Sequence, residues 1–296
     1  MLTTRRTAIL LSLTTLAACS SGGDSNDSAA PGDNGGPPTV SDVVMAPAGD
    51  ITHYGAVTVA DDAGQASDLV GSFHRLSSGV SEDFMRTMLS GDTAMCQVQD
   101  DGVIDFEEIS AAFVPTVPGI GKSGVSAGSA IVLTSPDGTY ATLEEQPAAG
   151  FLFYDLPDMT MLMAGSVPAG LQVDVPGSSE IPAFAGAAVP DITTLENAEF
   201  GGGDGISGST TFTWDASDDP GAMIRIFSST AGGFFLEDGV TVTCVTPDTG
   251  SFSFPADVRA ELGNDFAGSA PLMSRIVVNP VQVDSTFLYV IRESFR

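Results

Sequence analysis

Basic side chains are scarce in this chain. Only 10 of its 296 residues are Lys or Arg, against 38 Asp and Glu, and Lys122 is the single lysine. Nucleic acids and anionic lipid headgroups are bound through clusters of basic residues. The composition therefore argues against nucleic acid as a partner and against electrostatic binding to a membrane surface. It predicts an acidic, solvating surface.

The chain also lacks an apolar run of the length that spans a bilayer, which is about 20 residues. Its most apolar stretch is the short "TAILLSLTTLAA", residues 7–18, which follows Arg5 and Arg6. A basic start, a short apolar core and small residues at its end are typical of a secretory signal peptide. We therefore assign residues 1–18 to a signal peptide.

The end of this segment reads "LAAC", residues 16–19, and resembles the lipobox of bacterial lipoproteins. The resemblance implies cleavage before Cys19, diacylglycerol on its thiol and an acyl chain such as palmitate on its new amino group. Ser20 implies sorting to the outer membrane in a Gram-negative host. Two or more acyl chains hold a protein stably at a membrane. We thus expect a lipid-anchored cell-envelope protein; the alternative is an ordinary signal peptide with a chance cysteine.

The segment after the cleavage site has almost no apolar residues. Residues 20–40 are mostly Ser, Gly, Asp, Asn and Pro, a composition that cannot form a core. We expect residues 19–42 to be a disordered linker behind the lipidated cysteine. Loss of Arg5 and Arg6 with the signal would lower the formal side-chain charge from −28 to −30.

Short β-type runs separated by turn residues begin at about Val43. The runs "AIVLT" (130–134) and "TYATL" (139–143) flank "SPDG", a favourable hairpin turn. In "MIRIF" (223–227) and "VTVTCV" (240–245) apolar and polar residues alternate, as in half-buried antiparallel strands. The spacing of the strands predicts a mainly β protein.

The division of this β region follows from a Pro-, Ala- and Gly-rich stretch at residues 176–192. We predict two antiparallel β-sandwich domains, residues 43–189 and 190–296, the second of immunoglobulin or fibronectin type. Little helix is expected, at residues 81–89 and 256–262 only.

The stretch "QVQDDGVIDFEE", residues 97–108, partly matches an EF-hand calcium loop. Asp101, Asp105 and Glu108 fall at ligand positions around Gly102, but Gln97 and Gln99 replace the carboxylates that should enter first. The flanking runs read as strands, whereas an EF-hand needs helices. We interpret the stretch as a solvated acidic turn, with loose calcium binding as the alternative.

Two further motifs are incomplete. "GVSAG", residues 124–128, matches the nucleophile elbow of serine hydrolases around Ser126, yet no histidine follows it to act as the base. "TVPGIGKS", residues 116–123, approximates a phosphate-binding loop with Lys122, but lacks the first glycine. We interpret both as glycine-rich turns.

The stretch "WDASDDP", residues 214–220, carries three closely spaced aspartates, Asp215, Asp218 and Asp219. They are candidate calcium ligands in a loop between strands. Calcium is the only cofactor that the sequence leaves as an alternative. The simpler interpretation is that they bond to the backbone of the turn itself. The two histidines, His53 and His74, are weak evidence for a metal site.

With Cys19 assigned to the lipid, two cysteines remain. Cys96 and Cys244 each lie on the apolar face of a predicted strand, one in each proposed domain. Bridged Cα atoms lie within about 7 Å, so separate domains favour two buried free thiols. An oxidising envelope favours a disulfide instead.

The function predicted from these features is a non-catalytic binding or structural module of the cell envelope. The motifs "DPGAMIRIF" and "CVTPDTGSFSFP" resemble uncharacterised bacterial envelope proteins with immunoglobulin-like domains, which implies fold and not activity. An envelope protein or a glycan would be the partner. The alternatives are a hydrolase with paired carboxylates and a calcium-stabilised adhesin.

Overall fold

The protein is mainly β. The computed structural model describes residues 51–62, 65–80, 95–101, 120–148, 151–157, 167–201, 206–229, 239–262 and 271–295. In chain order the strands are β1 (Ile51–Asp62), β2 (Gln65–Val80), β3 (Met95–Asp101), β4 (Ile120–Gly124), β5 (Ala130–Ser135), β6 (Gly138–Ala148), β7 (Phe151–Asp155), β8 (Gln172–Val175), β9 (Phe184–Ala188), β10 (Glu199–Phe200), β11 (Thr211–Thr213), β12 (Met223–Ser229), β13 (Gly239–Pro247), β14 (Ser251–Ser253), β15 (Leu272–Val283) and β16 (Thr286–Phe295). One helix, α1 (Ala256–Leu262), is described.

The strands form two sheets. The larger has 13 strands in the order β3-β13-β12-β15-β16-β1-β2-β7-β6-β5-β8-β9, with β4 beside β2, and the smaller is β10-β11-β14. The pair β1 and β16 is parallel, with His53 opposite Thr286. The larger sheet is therefore mixed, whereas the sequence predicted antiparallel sheets. The two parallel strands come from opposite ends of the described chain, so no hairpin dictates their direction.

The larger sheet curls around an interior core. Its β9 edge returns towards β15, where Asn279 Nδ2 donates a hydrogen bond of 2.7 Å to the carbonyl oxygen of Ala188. Inward-facing side chains alternate along the strands and fill the space between. The largest of them that are fully buried are Leu69, Phe73, Ile131, Leu133, Leu143, Tyr154 and Phe184.

A second core lies between the smaller sheet and one end of the larger one. Phe212 and Phe252 from the smaller sheet share an apolar cluster with Ile226 and Val242 of β12 and β13. Trp214 belongs to the same cluster and is buried, as predicted. Two sheet layers therefore face each other in this part of the chain.

The predicted alternation in β12 and β13 is confirmed, with one correction. Ile224 and Ile226 lie in the second core, and Arg225 points to the opposite face. That face is not solvated, since Arg225 is 3% exposed and pairs with Glu293. Both faces of β12 are thus buried, because the sheet has a third apolar cluster on the side away from the second core.

Other local predictions can be compared directly. The hairpin across residues 135–138 is confirmed, with Ser135 paired to Gly138, and so is the helix at 256–262. The helix predicted at 81–89 lies outside the described residues, as do residues 1–50 with the signal peptide and linker. The boundary near Val189 stays a prediction, although strands from both sides of it pair in the larger sheet.

Candidate functional site

A cluster of charged and hydroxyl side chains lies beside the interior core, near the start of β1 and in the second half of β2. This rim cluster consists of Thr52, His53, Arg75, Glu180 and Ser285. The antiparallel register places His53 directly opposite Arg75. Residues two apart on a strand share a face. Arg75 therefore lies on the same face of β2 as Phe73, which belongs to the interior core. The third charged group, Glu180, comes from the turn that joins β8 to β9.

The carboxylate of Glu180 is the centre of the rim cluster. It forms an ion pair with the Arg75 guanidinium, and its Oε2 atom lies 3.8 Å from His53 Nε2. The Arg75 and Glu180 side chains are 57% and 40% exposed, but that of His53 is only 14% exposed. Solvent can therefore reach the ion pair more readily than the imidazole behind it.

The His53 ring is oriented from its other side. Thr52 Oγ1 lies 2.9 Å from His53 Nδ1 and donates its own proton to Ser285 Oγ at 3.0 Å. Burial and the neighbouring Arg75 charge lower the pKa of His53, while the Glu180 carboxylate acts to raise it. At neutral pH the ring is thus held with little charge beside an ion pair.

The second histidine lies elsewhere and does not join this cluster. His74 is directly opposite Tyr54 in the register of β1 and β2, so its side chain points to the other face of the sheet from His53. It is 2% exposed and stacks on the Tyr54 ring. The two histidines therefore cannot chelate one metal ion.

The motif around Ser126 forms a closed hydrogen-bond network. Ser126 Oγ donates to Glu145 Oε2 at 2.5 Å, and Gly128 N donates to Ser126 Oγ at 3.3 Å. Tyr154 Oη accepts a bond from Ala127 N at 2.7 Å and lies 2.7 Å from the carbonyl oxygen of Gly128. The network ties the turn to the core through Tyr154, in agreement with its interpretation as a structural turn.

The three aspartates of residues 214–220 are directed to different partners. Asp215 Oδ2 accepts a bond from Asn197 Nδ2 at 2.6 Å. Asp219 accepts bonds from the backbone N and the Oγ1 of Thr193, at 2.6 and 3.0 Å. Asp218 is exposed. Two of the three thus stabilise the packing of neighbouring loops, through contacts outside the turn rather than within it.

A fourth aspartate, which the sequence did not single out, organises this region. Asp248 Oδ1 accepts a bond from Trp214 Nε1 at 2.5 Å, and its Oδ2 accepts bonds from the backbone N and the Oγ of Ser217 at 3.0 and 2.8 Å. Arg275 Nε donates to the same Oδ2 at 2.8 Å. Asp248 belongs to the quoted motif "CVTPDTGSFSFP", which therefore carries a structural role.

The predicted metal sites are not assembled in the described part of the chain. There, no group of three or more His, Cys, Asp or Glu side chains is placed to hold a metal ion. Gln97 and Gln99 lie in β3, opposite Thr243 and Thr241 of β13, which is incompatible with an EF-hand loop starting at residue 97. Residues 102–108 lie outside the described ranges. Lys122 lies in strand β4, where a phosphate-binding loop would require a helix to start.

The cysteines Cys96 and Cys244 are joined by a disulfide, with an S–S distance of 2.04 Å. They are directly opposite each other in β3 and β13. The expectation of two free thiols was wrong because it assumed separate cores. Strand β3 instead completes the second core, in which Cys96, Val98 and Cys244 lie together.

Cys19 lies outside the described residues. Within the ranges that the structure describes, no helix is both long and apolar enough to cross a membrane. Comparisons with protein-family models, with curated proteins and with solved structures gave no match.

Proposed function

We propose that this chain is a lipid-anchored protein of the cell envelope and that its acidic β body is a non-catalytic binding or structural module. The membrane would be contacted through the acyl chains on Cys19. The partner of the body would be another envelope protein or a glycan.

The observation that carries this proposal is the use of the three cysteines. The disulfide takes up Cys96 and Cys244, so the lipobox cysteine, Cys19, is the one left over in the sequence. Disulfides persist in oxidising compartments outside the cytoplasm, where an unmodified third cysteine would be free to form wrong bridges. Lipidation of Cys19 removes that thiol. The disulfide and the lipobox therefore both support a location outside the cytoplasm.

The experiment is metabolic labelling of the full chain with an alkyne analogue of palmitate in a Gram-negative host. The wild-type protein should carry the label and pellet with membranes, whereas Cys19→Ser should lose the label and the membrane association. The matched control is Cys96→Ala with Cys244→Ala, which should keep the label. Label retained by Cys19→Ser, or wild-type protein found in the aqueous fraction, would contradict the proposal.

We propose that residues 190–296 form an immunoglobulin-type sandwich and residues 43–189 a second β domain. The apolar cluster between the smaller sheet and β12 and β13 supports the first part. Limited proteolysis followed by denaturing electrophoresis tests the division: cleavage near Val189 should give two fragments that run together until the disulfide is reduced.

A further inference from the structure

The disulfide between Cys96 and Cys244 joins strands that are far apart in the chain. Its two cysteines are separated by 148 residues, and β3 and β13 lie on opposite sides of the proposed domain boundary. Both side chains lie in the second core, together with Val98 and Val242. A bridge from Cys96 to any other cysteine would therefore have to enter this core.

Once the second core has formed, its cysteines are shielded from thiols in solution. Cys244 is 0% exposed, and Cys96 is partly buried beside it. Thiol–disulfide exchange requires a thiolate to reach a sulfur atom of the bridge directly. The partner of each cysteine is therefore decided before the core closes, while the chain is still unfolded.

Cys19 is the third cysteine of the sequence, and as a thiol it would compete for Cys96 in the unfolded chain. Counting from residue 19 to residue 96 gives a separation of 77, about half of the 148 residues between Cys96 and Cys244. The probability that the ends of a flexible loop meet falls roughly as the 3/2 power of its length. Cys96 would thus meet Cys19 about 2.7 times as often as it meets Cys244.

The order of synthesis increases this advantage. Chains are made from the N-terminus and begin to fold in that order, so Cys19 and Cys96 are both present before Cys244 is added. An early oxidant, such as the disulfide of an envelope dithiol oxidase, would join these two thiols. One S–S bond would form in the chain, and one would break in the oxidant, which takes up both protons.

A bridge between Cys19 and Cys96 is incompatible with the second core. The register places Cys96 directly opposite Cys244 in β13, and the two sulfur atoms meet inside the apolar cluster. A sulfur from residue 19 would have to occupy the place of the Cys244 sulfur and bring its own segment of chain into the core. The mispaired chain would therefore leave the second core incomplete.

We propose that the diacylglycerol on the Cys19 thiol protects Cys96 from this wrong partner and thereby directs it to Cys244. A thioether sulfur has no proton to lose, so it forms neither a thiolate nor a disulfide. Two thiols then remain, and a single chain can form one bridge only. This inference rests on the proposed lipidation of Cys19, to which it adds a role in disulfide pairing besides anchoring.

Three forms of the full chain, each exported by the same Gram-negative host, test the proposal. The first is the wild-type lipoprotein. In the second, residues 1–18 are exchanged for a signal peptide without a lipobox, which leaves Cys19 unmodified. The third adds Cys19→Ser to that exchange. Free thiols are blocked with iodoacetamide at harvest, and mass spectrometry of unreduced peptides identifies which cysteines are joined.

The first and third forms should carry the native bridge in nearly all molecules. In the second form the native bridge should fall roughly fourfold, and roughly two thirds of the molecules should join Cys19 to Cys96, as the three loop lengths predict. Trp214 is the only tryptophan and lies in the second core. Its fluorescence should therefore shift to the red in the second form but not in the third, which shows that the exchanged signal peptide does not itself disturb folding.

A native bridge that is as abundant in the second form as in the third would overturn the proposal, whether Cys19 is then a free thiol or links two chains. Failure of the proposed function has a different signature, which is a wild-type Cys19 without lipid. The comparison of the second form with the third does not depend on that result, because both forms lack the lipid by design.

Discussion

At the scale of single residues, His74 is a buried group whose titration should make stability depend on pH. Its ring centroid lies 5.1 Å from that of Tyr54 in a stacked arrangement, and its buried Nδ1 atom has no hydrogen-bond partner. Burial lowers the pKa of His74 from 6.5 to about 4. The unfolded chain therefore binds a proton that the folded chain does not. Stability is fully present above the unfolded pKa and is lost as the pH falls from 6.5 towards 4.

The variant His74→Phe keeps an aromatic ring against Tyr54 and removes this titration. Between about pH 7.5 and about pH 5 the wild-type protein should lose roughly 2 kcal/mol more unfolding free energy than the variant. Urea denaturation at the two pH values measures the difference. His53 titrates in both proteins, so its contribution cancels. Equal losses in the two proteins would show that His74 is not buried in its neutral form.

Asp248 supplies a buried negative charge beside the second core. Its side chain is 3% exposed and that of Arg275 is 1% exposed, so Asp248→Asn would leave a buried guanidinium without its counter-charge. Removing one partner of a buried ion pair costs about 3–5 kcal/mol. Chemical denaturation should show a loss of about this size.

Asp218→Asn is the matched control for Asp248→Asn, because Asp218 is exposed and only four residues from Trp214. Its unfolding free energy should stay within about 0.5 kcal/mol of wild type. A similarly small effect of Asp248→Asn would mean that the Asp248–Arg275 pair is not buried.

At the scale of elements, the packing of β2 against β1 leaves no room for a side chain at Gly55. A Cβ atom at this position would lie 2.3 Å from Phe73 Cε1. The Phe73 ring is fully buried and packs edge-on against Tyr154, with centroids 6.1 Å apart, so it has little room to move. Gly55→Ala should therefore lower the unfolding free energy by about 1–3 kcal/mol, as overpacking does.

The control for Gly55→Ala is Gly201→Ala. Around Gly201 the nearest atom to an added Cβ is the carbonyl oxygen of Thr211, at 3.9 Å, so no clash is expected. Denaturation of both variants measures the difference. If Gly55→Ala is as stable as Gly201→Ala, the Phe73 ring does not cover β1 at this point.

Elements built from neighbouring residues could be predicted from the sequence, and those that depend on distant pairing could not. The hairpin at residues 135–138 and the alternation in β12 follow from local patterns. The parallel pairing of β1 with β16 joins the two ends of the described chain, and no local pattern specifies it.

The residues of the rim cluster have no recognisable spacing in the sequence. Arg75 and Glu180 are ordinary charged residues in the sequence, and only the register of β1 with β2 and the position of the β8–β9 turn bring them to His53. The residues with recognisable spacing, Asp215, Asp218 and Asp219, are directed to separate surroundings. Spacing along the chain predicts a site when its residues come from one turn. The residues of the rim cluster come from four separate segments.

At the scale of the whole molecule, three of the five arginines in the described residues are buried. Arg225, Arg275 and Arg292 are buried in ion pairs with Glu293, Asp248 and Asp61. Burial lowers the pKa of Arg225 and raises that of Glu293, while each partner acts against that shift. In a chain with a formal charge of −28, these three cations thus compensate carboxylates inside the molecule.

This charge distribution predicts how salt acts on stability. Carboxylates on the surface repel one another in the folded state, and salt screens this repulsion, with a Debye length of about 10 Å at 0.1 M. The melting temperature should therefore rise by a few degrees between about 10 mM and 300 mM NaCl. If divalent ions act only by screening, calcium chloride and magnesium chloride at matched ionic strength should raise the melting temperature by equal amounts. A rise that micromolar calcium alone produces, and that EDTA reverses, would contradict simple screening and would favour a specific calcium site.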